Sequence, residues 1–204
     1  MRKFLAALLS GSLFIVAASH AQAAEPSPTT SADRPISVAA FGGYGINNTA
    51  PDGADTFNVY GAGFGVRGGY TLPMKIYVGG LFQYNVGTSK DTELPPQLGG
   101  GKVSVSGRMM NLGAEGGYDL DAGQFTIRPY LGLGVGIAGG DLKLDKDGGT
   151  TKFSLWPGVQ GVYNINDQLF AGLDARYTLV FADRGDNNGN ANSLGFYGTV
   201  GGRF

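Results

Sequence analysis

Between Met110 and Ile137 the chain alternates through two successive runs, apolar or small residues against polar ones and glycine, and in the second run the apolar side is plainly the bulky one. On the first run Met110, Leu112, Ala114, Gly116, Tyr118 and Leu120 share one side, with Asn111, Gly113, Glu115, Gly117 and Asp119 on the other. After an Asp121-Ala122 turn, the second run sets Phe125, Ile127, Pro129, Leu131, Leu133, Val135 and Ile137 against Thr126, Arg128, Tyr130, Gly132, Gly134 and Gly136. A repeat of two is that of a β-strand. Glycines with one arginine and one tyrosine cannot fill the dry interior of a water-soluble sandwich. The sides must therefore be reversed, with bulky apolar side chains facing lipid and the small polar side lining a lumen.

The same turn predicts a register: Leu120 opposite Gly123, Tyr118 opposite Phe125, and Glu115 opposite Arg128 inside the lumen. Two opposite charges would then meet where water is scarce; the alternative is that each meets lumen water.

At the N-terminus, Arg2 and Lys3 precede the apolar run Phe4 to Ala18 and then Ala21-Gln22-Ala23. This predicts an export signal over residues 1–23, cleaved before Ala24, the apolar run being too short for a good spanning helix. The chain has no cysteine, which excludes both lipid attachment at a new N-terminal cysteine and a disulfide framework. Removing Arg2 and Lys3 from the 15 basic residues leaves 13 against 16 acidic ones, so the mature chain has no basic surplus to attract nucleic acid. Residues 24–35, rich in Pro, Ser, Thr and charge, read as a flexible periplasmic lead-in.

From residue 36 onward the alternation continues. Ile36 to Ile46 places Val38, Ala40, Gly42 and Tyr44 outward, although Phe41 on the other side breaks the pattern. Asn58 to Tyr70 places Tyr60, Ala62, Phe64, Val66 and Tyr70 outward and Gly61, Gly63, Gly65 and Arg67 inward. After a turn at Thr71 to Met74, Lys75 to Val86 places Tyr77, Gln83 and Asn85 inward. Gly87 to Gly101 is the longest loop, and its Pro95-Pro96 and terminal glycines argue against a regular strand through it. Beyond Ile137, a loop around 141–151 leads to a strand ending at Tyr163, and a short turn to a strand with Asp174, Arg176 and Thr178 inward. A last loop over 182–192 precedes Ser193 to Phe204, which places Tyr197, Thr199 and Arg203 inward.

This makes eight strands whose connections alternate long and short, placing both termini on the short-turn side. The expected fold is all-β, an eight-stranded antiparallel up-and-down transmembrane β-barrel over residues 36–204 with short periplasmic turns and longer surface loops. The 37 glycines fit a narrow lumen that must be lined by short side chains. Tyr118, Phe125, Tyr163 and Phe204 fall at the short-turn strand ends, where an interfacial aromatic girdle belongs.

Four runs carry a resemblance: Gly63 to Tyr70, Arg128 to Gly136, Leu173 to Tyr177, and the terminal aromatic Phe204. Together with the signal, they resemble small outer-membrane β-barrel proteins such as the membrane domain of outer membrane protein A and the opacity-type surface proteins. The resemblance implies a location in the bacterial outer membrane and implies that the barrel assembly machinery reads Phe204. A wall-anchoring role is not expected, because no periplasmic domain follows Phe204.

Some outer-membrane barrels are enzymes whose chemistry depends on a histidine. Here the single histidine, His20, lies within the expected signal, so a Ser-His pair, a Cys-His pair and a histidine-ligated metal are excluded, and no cofactor is expected. The expected lumen network is Arg67, Tyr77, Gln83, Asn85, Glu115, Arg128, Tyr130, Asp174, Arg176, Tyr197 and Arg203. It predicts a plugged, non-enzymatic barrel that acts through its loops in envelope integrity or adhesion. Its expected partners are outer-membrane lipid, lipopolysaccharide, neighbouring proteins or host molecules. The competing expectation is a narrow, weakly anion-preferring pore, drawn from four inward arginines against two inward carboxylates, with Trp156 on an unassigned side and Pro157 suggesting a bulge. Calcium binding by Asp141, Asp145 and Asp147, or by Asp183 and Asp186, is disfavoured because neither group has the spacing of a calcium loop.

Overall fold

The computed structural model describes residues 34–47, 58–88, 90–94, 101–105, 107–140, 150–181 and 191–204. The expected signal, the lead-in up to residue 33 and the Asp-rich loops at 141–149 and 182–190 lie outside the described residues.

The described residues form eleven strands: β1 (Ile36–Asn47), β2 (Ala62–Thr71), β3 (Ile76–Val86), β4 (Lys90–Leu94), β5 (Gly101–Val105), β6 (Gly107–Tyr118), β7 (Leu120–Ala122), β8 (Phe125–Gly140), β9 (Thr150–Asn164), β10 (Leu169–Val180) and β11 (Ala191–Arg203). β6 and β7 are two parts of one strand interrupted at Asp119, since Gly117↔Tyr130 and Leu120↔Ile127 continue the same register against β8. Counted so, eight antiparallel strands pair in the order β6-β3-β2-β1-β11-β10-β9-β8, and the β6–β8 pairing closes the ring. The first and last strands meet from Ser37↔Arg203 to Asn47↔Ser193. The result is a closed all-β transmembrane barrel, each strand of the ring being paired on both sides.

Along each strand the burial alternates as the sequence requires. Val38, Val66, Leu112, Leu133, Leu173 and Phe196 are exposed on the outer surface. Phe125 and Tyr163 meet at the short-turn end with ring centroids 5.1 Å apart, and Tyr118 and Phe204 are exposed at the same level of their strands. At the other end Phe64 meets Tyr84 and Phe153 meets Phe181, each at 5.7 Å, so aromatic pairs border the apolar band above and below.

Several expectations are corrected. The hairpin turn is Gly123-Gln124, with Ala122 opposite Phe125. Within it Gly123 carries a positive φ, +63°, at the position where a two-residue turn matching strand twist needs one. Moving the turn by two residues puts Glu115 opposite Gly132, so Glu115 and Arg128 are not paired across the hairpin. The second strand begins at Ala62, and Tyr60 is buried, because Gly61 (φ +38°) turns the preceding residues inward. The long loop holds regular structure after all: β4 and β5 form a two-stranded ladder from Lys90↔Val105 to Leu94↔Gly101, and the Pro95-Pro96 segment lies outside the described residues. Pro157 introduces no bulge. The β8–β9 register runs unbroken from Phe125↔Tyr163 through Leu131↔Pro157 to Ala138↔Thr150, with Pro157 facing outward and Trp156 inward.

Leu131 lies on the exposed face midway along the apolar span of β8. Leu131→Arg is expected to destabilise the barrel by about 2–4 kcal/mol, the cost of a cation near the bilayer midplane. Reversible urea unfolding in lipid vesicles checks this, and an unchanged midpoint would contradict a lipid-facing Leu131.

Candidate functional site: the polar lumen

Because the strand period is two, the residues alternating with the lipid-facing ones all converge on the barrel axis. At the centre Arg67 (β2) reaches across to β6 and β10. It donates from NH1 to Asp174 Oδ2 at 2.9 Å and from NH2 to Glu115 Oε1 at 3.1 Å, and its Nε lies 2.7 Å from Glu115 Oε2. Arg176 donates from Nε to Asp174 Oδ1 at 2.7 Å and from NH1 to Gln83 Oε1 at 2.9 Å. The Tyr130 hydroxyl donates to Asp174 (2.9 Å to Oδ2), and the Trp156 indole donates to Glu115 Oε1 at 2.9 Å. Gln83 continues the network through Nε2 to Asn85 Oδ1 (2.6 Å) and the Tyr197 hydroxyl (2.7 Å). Eight of the expected lumen residues thus form one hydrogen-bonded cluster.

Aromatic faces complete the shell. Arg67 lies over Tyr130 at 4.6 Å, and Arg176 lies over both Phe41 and Tyr197 at 4.6 Å. Phe41, the residue that broke the outward pattern of its strand, is buried with Leu81, Tyr130, Trp156 and Tyr197 around this cluster. A guanidinium sandwiched by rings and bonded at its edge to carboxylates keeps its charge compensated away from bulk water. The glycines leave the room: a Cβ on Gly132 would overlap the Trp156 indole, and one on Gly158 would overlap the Tyr130 ring.

Nearer the short-turn end, Arg128 and Tyr77 form a second cluster around Asp119. Arg128 donates from Nε and NH2 to the two Asp119 oxygens, at 2.8 Å from NH2, and its guanidinium stacks 3.7 Å from the Tyr77 ring centroid. Thr71 Oγ1 donates to Asp119 Oδ2 at 3.2 Å. Arg203 lies over Phe170 at 5.4 Å, beside an apolar group of Ala39, Val162 and Phe170. At the opposite end Tyr60, Met109 and Val180 form an apolar cluster backed by Val59 and Ala138.

Asp119, Trp156, Asn111 and Phe41 belong to the lumen yet were absent from the expected network. Asp119 and Asn111 share the parity of Glu115, which was the available signal; Trp156 was left without a side because a bulge at Pro157 would have reset the parity of its strand. With Asp119 included, four buried arginines face three buried carboxylates among the described residues, rather than two. Among the described residues no group of three or more His, Cys, Asp or Glu is arranged to hold a metal ion.

An eight-stranded closed barrel with an apolar exterior and a charged, narrow interior is a transmembrane β-barrel. The chain belongs to the outer membrane protein beta-barrel domain family, which it matches over residues 7–204. No curated protein sequence matches it. Among solved structures it is similar to Neisserial surface protein A, NspA, with a TM-score of 0.57 and 16% identity over 83% of this chain and 96% of that one. It is also similar to a major outer membrane protein from Thermus thermophilus, with a TM-score of 0.54 and 15% identity over 83% and 98% of the two chains. A third similar structure is Ail of Yersinia pestis, solved with the heparin analogue sucrose octasulfate, with a TM-score of 0.50 and 17% identity over 83% and 97%. At these identities the likeness is one of fold.

Asp174→Ala removes the carboxylate that Arg67 and Arg176 share, leaving Arg67 its Glu115 partner but taking from buried Arg176 the carboxylate it is bonded to, an expected loss of about 3–5 kcal/mol. Trp156, the single tryptophan, is buried beside this cluster and reports the unfolding transition directly by its fluorescence.

Proposed function

We propose that this protein is a non-enzymatic barrel of the bacterial outer membrane whose lumen is a structural plug and whose biological role resides in its surface loops, in envelope integrity or adhesion. The observation that carries this reading is that Arg67, Glu115, Asp174 and Arg176 are bonded to one another and to Gln83, Tyr130 and Trp156. Carboxylates so engaged are poor general bases, and the one histidine at position 20 leaves no imidazole in the barrel to activate a nucleophile.

Residues 1–23 would direct export, and Phe204, exposed at the end of the last strand, would be presented to the barrel assembly machinery. The short turns then face the periplasm and the long loops the outside. Lipopolysaccharide and outer-membrane lipid surround the apolar band, and a host or surface ligand meets the loops. The Ail complex with a heparin analogue is a precedent for ligand binding by a barrel of this fold. Without Arg2 and Lys3 the exported chain carries 13 basic residues against 16 acidic ones, so it has no basic surplus to attract a polyanion. The second reading, a narrow pore with weak anion preference, is supported by the excess of one buried arginine over the buried carboxylates among the described residues.

Gly87 N donates to Gly107 O at 2.8 Å, so the strand ends beneath the longest loop are already held together without it. Replacing residues 89–106 with a short Asn-Gly turn is expected to leave heat-modifiable gel mobility intact while abolishing the loop-dependent phenotype. Refolded into planar bilayers, the unaltered barrel is expected to give no discrete current. Reproducible steps whose ion preference changes on Arg128→Ala would favour the pore.

A further inference from the structure

We propose that Tyr60 is a stopper that seals the long-loop mouth of the lumen, an apolar layer above the charged network deeper in the barrel. Tyr60 is not a strand residue, and its side chain is nevertheless 1% exposed, against Met109 from β6 and Val180 from β10. β6 and β10 are not neighbours in the ring, since β8 and β9 lie between them on one side. The three side chains together therefore bridge the bore rather than patch one wall. Val59 and Ala138 pack against the same cluster and complete an apolar layer.

The backbone that delivers Tyr60 is a strap over residues 58–61, pinned at several points. Asn58 Nδ2 donates to Gly45 O at 2.8 Å, and Gly45 N donates to Gly61 O at 2.8 Å, fixing the strap to β1. Thr88 N donates to Asn58 O at 2.9 Å, fixing it to the end of β3. Asn58 Oδ1 accepts from Tyr60 N at 3.0 Å, holding the turn itself. The turn requires glycine at position 61, where φ is +38° and a Cβ would overlap Val86 O. Burial also pushes the Tyr60 phenol above its ordinary range, in keeping with a ring held away from water.

Below this layer the lining changes at once to polar groups: Asn111 lies two residues further in than Met109, and Thr178 two residues further in than Val180, both buried. An apolar constriction over a polar cavity excludes water and small hydrophilic solutes by dewetting rather than by charge. Opening the mouth would not by itself create a pore, because the Asp174 cluster and the apolar group around Phe170 still fill the bore. Solvent access therefore separates this inference from the plugged or conducting readings, which current measurements decide.

The chain has no cysteine, so a single introduced thiol reports alone. Thr178→Cys is placed below the layer and Thr126→Cys near the short-turn end, and each is reacted with a small charged methanethiosulfonate on folded protein in nanodiscs. In an otherwise unaltered chain Thr178→Cys should react slowly. Adding Tyr60→Ser should accelerate it on the order of tenfold or more, the change in open population expected on losing a large buried ring, with Thr126→Cys unchanged. Asn58→Ala, which keeps Tyr60 but releases the strap from Gly45, should accelerate the same site. Equal rates with and without Tyr60, or a parallel rise at Thr126→Cys, would overturn the stopper. Heat-modifiable gel mobility establishes that each variant is folded before its rate is read.

Discussion

Lipid offers no hydrogen bonds, and every other feature of this molecule depends on that. Each backbone N–H and C=O within the apolar band must find a partner inside the protein, which for a chain of strands only a sheet closed on itself provides. The seam where β1 meets β11 is therefore as regular as any other pair of strands, and its short-turn end is finished by reciprocal bonds between Ile36 and Phe204, at 3.2 and 2.8 Å. Closure also sets the bore. Eight strands leave an interior just wide enough for side chains, so whatever the inner positions carry must interlock.

Interlocking explains the choice of residues. Arginine spans the bore and offers several donors in a fixed fork, so Arg67 can reach Glu115 on β6 and Asp174 on β10 at once. Its flat faces are covered by rings, and the glycines opposite those rings supply the clearance. Buried ion pairs of this kind contribute little net stability after desolvation, but breaking one partner leaves a strongly disfavoured charge. Their main effect here is to join strands remote in the ring, so that the register of one strand constrains another on the far side.

The lumen is layered rather than uniformly polar. An apolar mouth at Tyr60 gives way to a polar centre, and near the short-turn end the apolar group of Ala39, Val162 and Phe170 shares the bore with Arg203 and the Arg128–Asp119 pair. Polar groups so enclosed are held to each other.

Period two, the reversal of bulky and small sides and the alternation of long and short connections are local properties, and they determined the strand number, the lipid face and the inward placement of residues such as Arg67, Glu115, Asp174 and Arg176. Where parity was clear, as for Gln83 and Tyr197, the inner face was legible. What tertiary structure alone decided was which inward residues meet. Glu115 pairs with Arg67 rather than Arg128, because the hairpin turns where Gly123 tolerates a positive φ, two residues beyond the expected turn. Tyr60 has the parity of an outward strand residue yet lies in the mouth, because Gly61 ends the alternation before it. Parity is carried by each strand separately; partnership across the bore depends on the turns and the stagger of eight strands at once, which no single stretch of chain encodes.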